Sequence, residues 1–164
     1  MLIKVIATVV ILTSGISALA ENRVHESPDK RVSAVIIPVG EKGYETRESR
    51  VEIRALYRRL LRWKSFASSD HNHGEGVFHA DWTSDGRFFV FNTSSSGGHQ
   101  PWHVATYFYS RGSNKFYSLD AFIGPITSDF KLEGRNTIVA TRFNLEKAER
   151  AGPVRVSLQN LRAS

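Results

Sequence analysis

Side chains of the types that bind metals or transfer protons are concentrated in one short stretch of this sequence, SSDHNHGEGVFHADW. They include His71, His73, Glu75, His79 and Asp81. Imidazole and carboxylate groups are common ligands of Zn²⁺ and common general acids and bases. Their spacing raises the question of whether this stretch forms a metal centre, a ligand-binding site or a polar loop.

A predicted hairpin brings a second polar loop towards the first. Val77–Trp82 and Arg87–Phe91 have the pattern of antiparallel strands joined by the turn TSDG. The outer ends of such a hairpin lie side by side, so the loop before the first strand approaches the loop NTSSSGGHQPWH after the second. The sequence therefore predicts a ligand-binding cluster that contains His71, His73, Glu75, His99, Trp102 and His103.

Three arrangements of this cluster are compatible with the sequence. His71 and His73, with one of Glu75, His99 or His103, supply enough ligands for a tetrahedral zinc site. A groove for a small molecule or glycan is the second arrangement, with an aromatic ring beside polar groups. In the third, the histidines hydrogen-bond to backbone groups and cap the sheet. No metalloenzyme pattern is complete, and TSSSGGH lacks the G-x-S-x-G nucleophile motif, so no reaction and no cofactor are assigned.

The strand that follows the first histidine loop is expected to be regular. Alternation would place Phe78, Ala80 and Trp82 on one face and His79 and Asp81 on the other. Trp82 is predicted to be a core anchor. The two polar side chains are expected to form a hydrogen-bonded pair that holds the neighbouring strand, because buried polar groups need partners.

An internal repeat indicates the architecture. A shift of 56 residues aligns Ser27–Val35 with Thr83–Phe91, and Asp29 with Asp85. In both copies the aspartate precedes an apolar run of strand length. A repeating unit of about 50 residues of antiparallel strands follows from this alignment.

One segment has two interpretations. The apolar residues of RVEIRALYRRLLRW recur at helical spacing, which favours an amphipathic helix. The same 56-residue shift, without a gap, places Val51 and Ile53 on Tyr107 and Tyr109, where TYFYS-RGSNK-FYSL has the pattern of a hairpin. The repeat therefore predicts a hairpin here, with its turn at residues 56–59.

The repeated turn sequence resembles the TolB-type, WD-like β-propeller repeat. Residues 82–87, WTSDGR, match its Trp-Ser-Pro-Asp-Gly-Lys/Arg pattern best, SPDKR at residues 27–31 matches in part, and LEGR at residues 132–135 matches least. The resemblance implies an all-β protein of antiparallel sheets in propeller-like repeats near 27–66, 83–122 and 131–158. Propellers close with 4 to 8 blades, so three repeats imply an incomplete propeller, a small β-sandwich or association of copies through open sheet edges.

The first twenty residues predict export. A positive Lys4, the apolar run of residues 5–12 and the small residues Ala18 and Ala20 have the pattern of a secretory signal peptide, cleaved before a single β-rich domain at residues 21–164. The apolar run is shorter than the roughly 20 residues of a membrane span, so no transmembrane segment is expected after cleavage. The chain has no cysteine, which excludes disulfides.

Charge and compartment together define the expected function. The mature chain would carry 21 basic and 16 acidic residues, and the basic ones concentrate between Arg47 and Lys64. Nucleic acid is not an expected partner outside the cytoplasm, whereas a protein, a glycan or an anionic surface is. The sequence thus predicts a secreted or periplasmic binding or interaction protein. The alternative is a metal-binding protein or metal-dependent enzyme that uses the His71/His73 and His99/His103 loops.

Overall fold

A computed structural model describes residues 22–39, 48–71, 73–98, 100, 102–144, 146–147 and 149–161 of the chain. The described residues are mostly β, as predicted. The elements are β1 (Arg23–Glu26), β2 (Val32–Val39), β3 (Glu48–Ala55), β4 (Leu60–Ser65), β5 (Glu75–Trp82), β6 (Phe88–Ser95), β7 (Ala105–Ser110), β8 (Lys115–Ser118), α1 (Asp120–Ile123), β9 (Lys131–Glu133), β10 (Thr137–Asn144) and β11 (Glu149–Ser157), with 3₁₀ turns at Leu56–Arg58 and Leu158–Asn160. The predicted signal peptide and His99 lie outside the described residues.

Three antiparallel sheets follow one another along the chain. Sheet 1 has the order β1-β2-β3-β4, sheet 2 has β5-β6-β7-β8, and sheet 3 has β11-β10-β9. Strands that are consecutive in sequence are neighbours in every sheet, as short turns between antiparallel strands dictate. No closed barrel forms among the described residues. This arrangement is consistent with an incomplete propeller and with the sandwich alternative.

The segment with two interpretations is a hairpin, as the repeat predicted. β3 and β4 pair antiparallel, and a 3₁₀ turn at Leu56–Arg58 joins them. Val51 and Ile53 alternate on β3 and are completely buried. β-branched residues at a period of two are typical of a half-buried strand. Because β3 also pairs with β2, the segment forms a strand although its leucines recur at helical spacing.

The repeated turns share one hydrogen-bond pattern. Ser27 Oγ donates to Asp29 Oδ1 at 2.7 Å, and Thr83 Oγ1 donates to Asp85 Oδ1 at 2.7 Å. In both turns the backbone N–H two residues after the aspartate also donates to that Oδ1 atom, at 3.1 Å. Equivalent side chains thus close equivalent turns, which is the physical basis of the sequence repeat.

The same turns require a left-handed residue after the acidic position. Gly86 has φ +66° and Gly134 has φ +58°, while Lys30 adopts φ +56° without being glycine. The third turn is less similar, as its sequence indicated. Its acidic residue, Glu133, forms an ion pair with Arg155 of β11.

Each turn aspartate also links its sheet to the next one. Asp29 Oδ2 accepts a hydrogen bond from Arg111 Nη1 at 2.8 Å, and Asp85 Oδ2 accepts one from Asn136 Nδ2 at 3.4 Å. Hydrogen bonds from Ser27 and Arg111 lower the pKa of Asp29 to about 2. The turns therefore lie beside one another at one end of the three sheets.

The ungapped 56-residue alignment is wrong by one residue in the second half of the repeat. Val51 pairs with Ile36 in sheet 1, and Thr106 pairs with Asn92 in sheet 2. Since Asn92 is the counterpart of Ile36, the counterpart of Val51 is Thr106 and not Tyr107. A shift of one residue moves a side chain to the opposite face of a sheet. The alignment found the correct strands and assigned their faces incorrectly.

Two apolar clusters hold the sheets together. The first lies between sheets 1 and 2 and includes Ile36, Ile53, Phe89, Phe91 and Trp82. The second lies between sheets 2 and 3 and includes Val90, Phe108, Leu119, Ile126 and Ile138. Sheet 2 is therefore covered on both faces, and its strand β6 is apolar at Phe88–Phe91 on successive residues.

A bulge in β5 corrects the predicted alternation. The register shifts between Val77 and His79, so Val77, Ala80 and Trp82 are buried while Phe78 is 46% exposed. The extra residue of a β-bulge disrupts the period of two locally. Trp82 is a core anchor, as predicted, and its Nε1–H donates to the His25 carbonyl at 2.8 Å.

Candidate functional site: a polar cavity between two loops

A buried carboxylate holds the first histidine loop in place. Glu48, on β3, is 1% exposed and accepts hydrogen bonds from Ser68 N (3.0 Å), Ser68 Oγ (2.8 Å), Gly74 N (2.6 Å) and Ser96 Oγ (3.0 Å). Burial alone would raise the pKa of Glu48, but these donors outweigh it and the pKa is lower than usual. The loop after β4 is thus anchored from inside by an ionised side chain.

The predicted convergence of the two loops is present. Glu75 and Ser95 are opposite each other in the β5–β6 register, and the backbone N–H of Ser96 donates to the Gly74 carbonyl at 2.9 Å. Gly74 has no space for a side chain, because a Cβ there would lie 2.4 Å from the Phe66 carbonyl oxygen. Close backbone contact therefore joins the two loops at the open end of the hairpin.

A polar cavity lies where the loops meet. Its volume is about 210 Å³, and its lining comprises His73, Gly74, Glu75, Thr93, Ser95, Gln100, His103 and Ala105. Three of the predicted site residues, His73, Glu75 and His103, contribute to this wall. The volume is below the 300–1,000 Å³ that is typical of drug-sized ligand pockets, so the cavity suits a small polar group.

Each ionisable side chain of the cavity wall has a partner. His73 Nδ1 lies 2.5 Å from Asp70 Oδ2, and Glu75 Oε2 accepts a hydrogen bond from Thr93 Oγ1 at 2.5 Å. An imidazole nitrogen donates or accepts a hydrogen bond according to the tautomer, and a carboxylate oxygen accepts one. The arrangement therefore offers both donors and acceptors.

His103 is held by an acid on the short helix α1. Its Nε2 lies 3.2 Å from Asp120 Oδ2. Burial raises the pKa of the Asp120 carboxyl above its usual value, although His103 opposes that effect.

The remaining predicted site residues lie outside the cavity wall. His71 has φ +56°, and its Nδ1 lies 3.5 Å from Glu48 Oε2 on the interior side of the loop. Trp102 is 38% exposed, and its ring centroid lies 4.6 Å from that of Phe143 and 5.5 Å from that of His103. His99 is outside the described residues.

The geometry of the described residues does not assemble a metal site. Within the ranges that the structure describes, no group of three or more His, Asp or Glu side chains is positioned to hold a metal ion. His71 Nδ1 lies near the carboxylate of Glu48, and His73 Nδ1 lies near that of Asp70. The zinc arrangement thus receives no support from these residues.

His79 has the predicted structural role with a different partner. Its Nδ1 lies 2.5 Å from Asp129 Oδ1, and its ring stacks on Phe130 with centroids 4.3 Å apart. Asn92 Nδ2 also donates to Asp129 Oδ1, at 2.7 Å. The pair joins sheet 2 to the segment before β9, whereas Asp81 is exposed and accepts a hydrogen bond from the neighbouring Trp82 N–H.

Three acidic residues that position this region were missed by the sequence analysis. Glu48, Asp120 and Asp129 each hold a loop or a histidine from 17 to 50 residues away in sequence. Only its place as an acidic residue at the start of the strand ESRVEIRA could have drawn attention to Glu48. No local pattern marks the other two.

No helix in the described part of the chain is long and apolar enough to cross a membrane. Comparisons with protein-family models, curated proteins and solved structures found no match to this chain.

Proposed function

We propose that this chain is a secreted or periplasmic binding protein that takes a small hydroxylated ligand, such as one sugar unit of a glycan, in the cavity between the two loops. The observation that carries the proposal is the cavity wall itself. His73 of the first loop, Glu75 at the start of β5 and His103 of the second loop line one space of about 210 Å³. Hydroxyl groups both donate and accept hydrogen bonds, as the groups of this wall do.

The surroundings of the cavity support a binding role. Glu48 holds the first loop through three hydrogen bonds and the second loop through one, from Ser96, so the wall is organised before a ligand arrives. Preorganisation lowers the entropic cost of binding. The exposed ring of Trp102 lies beside His103, where it can contact the apolar face of a sugar.

The architecture and compartment are part of the same proposal. Successive meander sheets with equivalent Asp turns support a TolB-type, propeller-like repeat protein. Export rests on the N-terminal sequence. Mass spectrometry of the exported protein tests it directly, with Glu21 as the expected first residue and a retained Met1 as the contrary result.

Binding is tested by titrating the purified mature chain with a panel of monosaccharides and disaccharides in a calorimeter. Wild-type protein should bind at least one of them, and Glu75→Gln and His103→Ala should each weaken binding at least tenfold. Glu26→Gln, outside the cavity, is the control and should bind as wild type. The proposal fails if no saccharide binds or if the cavity variants bind normally. One equivalent of Zn²⁺ bound with sub-micromolar affinity would favour the metal-binding alternative instead.

A further inference from the structure

The β3–β4 hairpin carries a concentration of exposed apolar side chains. Seven large hydrophobic residues are exposed in the described chain, and four of them belong to this hairpin. They are Leu56 (59%), Tyr57 (100%), Leu60 (50%) and Trp63 (55%). Leu60 and Trp63 share one face of β4, because they are opposite Arg54 and Glu52 of β3. Single exposed apolar residues are normal, but four on one hairpin indicate an interaction surface.

Exposed arginines alternate with these residues. Arg58, Arg59 and Arg62 are exposed, and no described ion pair involves any of them. Arg31 joins them, since it shares one surface depression with Leu56 and Arg59. We call Leu56, Tyr57, Arg58, Arg59, Leu60 and Trp63 the hairpin surface. Arg62 is opposite Ile53 in the β3–β4 register and therefore lies on the face towards sheet 2.

Few carboxylates oppose this charge. Glu52, on the same sheet, is 6% exposed and is already paired with Arg50 (2.8 Å) and Arg54 (2.5 Å). In the adjoining groove of about 420 Å³, Glu26 is the one carboxylate among the described lining residues, against Lys30, Arg31, Arg54 and Arg58. The hairpin surface is therefore complementary to an anionic partner.

The backbone presents the tip of the hairpin outward. Tyr57 and Arg58 both have φ +60°, a conformation that costs an L-residue about 1–2 kcal/mol. The hydrogen bond from Ala55 N to the Arg59 carbonyl, at 2.8 Å, closes the turn. Tyr57 gains no packing within the described chain in return, because its side chain is completely exposed.

We propose that the hairpin surface docks on an anionic lipid membrane. Leu56 and Leu60 enter the boundary of the acyl chains, and the rings of Tyr57 and Trp63 lie at the level of the headgroups. The arginines bind lipid phosphates while their aliphatic stems stay in the apolar layer. The two leucines favour a membrane over an anionic polysaccharide, because a polysaccharide presents charge and sugar rings but no hydrocarbon layer.

The test uses the mature chain and vesicles of phosphatidylcholine alone or mixed with phosphatidylglycerol. Sedimentation with vesicles should show binding to the mixed vesicles, little binding to the neutral ones, and a decrease as salt rises. Fluorescence of Trp63 should shift to the blue on binding, and Trp63→Phe should abolish most of the shift. Absence of binding to mixed vesicles overturns the proposal.

Double variants separate the contribution of the arginine charges to vesicle binding from that of the leucine side chains. Arg58→Gln with Arg59→Gln should reduce partitioning roughly ten- to thirty-fold, from the usual contribution of each cation near an anionic surface. Lys131→Gln with Lys147→Gln, an equal charge change at exposed positions of sheet 3 and the loop after β10, should reduce it far less. Leu56→Ser with Leu60→Ser should also reduce it at least fivefold. Equal binding by this leucine variant, together with tight binding to a soluble sulfated polysaccharide, would assign the surface to polysaccharide instead.

Discussion

Glu48 Oε1 accepts a hydrogen bond from the Gly74 backbone N–H at 2.6 Å, across 26 residues of sequence. Ser96, in the loop after β6, donates to the same oxygen. The loop after β4 and the loop after β6 thus meet at one ionised carboxylate that is almost completely removed from water. Both participants are constrained: the acid because its oxygens have four donors, and the glycine because a side chain would collide with Glu48 itself. The shape of the candidate cavity depends on this contact.

Glu48→Gln should lower the free energy of unfolding by about 2–3 kcal/mol, because an amide cannot accept from donors at both of its ends and leaves buried N–H or O–H groups unpaired. Chemical denaturation measures the change. Glu26→Gln, at an exposed position, is the control and should change stability by less than about 0.5 kcal/mol.

The acid dependence of stability should also change in Glu48→Gln. Because the pKa of Glu48 is lowered in the fold, its stabilisation is complete above the ordinary glutamate value of about 4.3 and is lost as pH falls through the lower folded value. Denaturation between pH 6 and pH 3 should therefore show a shallower decline for the variant than for wild type. Parallel curves would mean that folding does not lower the pKa of Glu48.

Gly74→Ala should destabilise the protein by about 1–3 kcal/mol, since the new methyl group would overlap the Phe66 carbonyl oxygen and the Glu48 carboxyl. Gly112→Ala is a matched control, because a Cβ there meets nothing within 4 Å. Thermal melting of the two variants should differ clearly. Equal melting temperatures would show that the histidine loop is not packed against β3.

Trp82→Ala should cost about 3–5 kcal/mol, because a large buried ring is lost from the cluster between sheets 1 and 2. Trp63→Ala removes the same side chain from a site that is 55% exposed and should cost less than about 0.5 kcal/mol in the free energy of unfolding. Equal effects of the two substitutions on urea denaturation would contradict the burial of Trp82 between sheets 1 and 2.

The repeat predicts that substitutions at two equivalent turn positions, Lys30 and Gly86, change the free energy of unfolding in opposite directions. Lys30→Gly should raise the free energy of unfolding by about 0.5–1 kcal/mol, since glycine adopts a positive φ without the steric cost that lysine has there. Gly86→Ala, at the equivalent turn position, should lower it by about 1–2 kcal/mol. Denaturation of both variants beside wild type measures the pair, and a destabilised Lys30→Gly protein would contradict the equivalence of the turns.

Local patterns in the sequence determined the class of fold and the position of most strands. Short runs of β-branched and aromatic residues, separated by Asp-Gly turns, define antiparallel meanders wherever they occur. The repeat around Asp29 and Asp85 correctly predicted a hairpin in the arginine-rich segment, where the spacing of apolar residues alone favoured a helix. The predicted hairpin likewise places His73, Glu75 and His103 in one neighbourhood, where the structure has them.

Tertiary structure alone decided which faces these residues occupy and which partners they have. The bulge beside Phe78 and the one-residue offset of β7 both reverse side-chain faces, and a period of two contains no signal for such an insertion. The partners Glu48, Asp120 and Asp129 arrive from other elements, so sequence proximity could not indicate them. The hydrogen-bond partners of buried charges are set by the assembled sheets, so the pairing of His103 with Asp120 and of His79 with Asp129 could be known only from the tertiary structure.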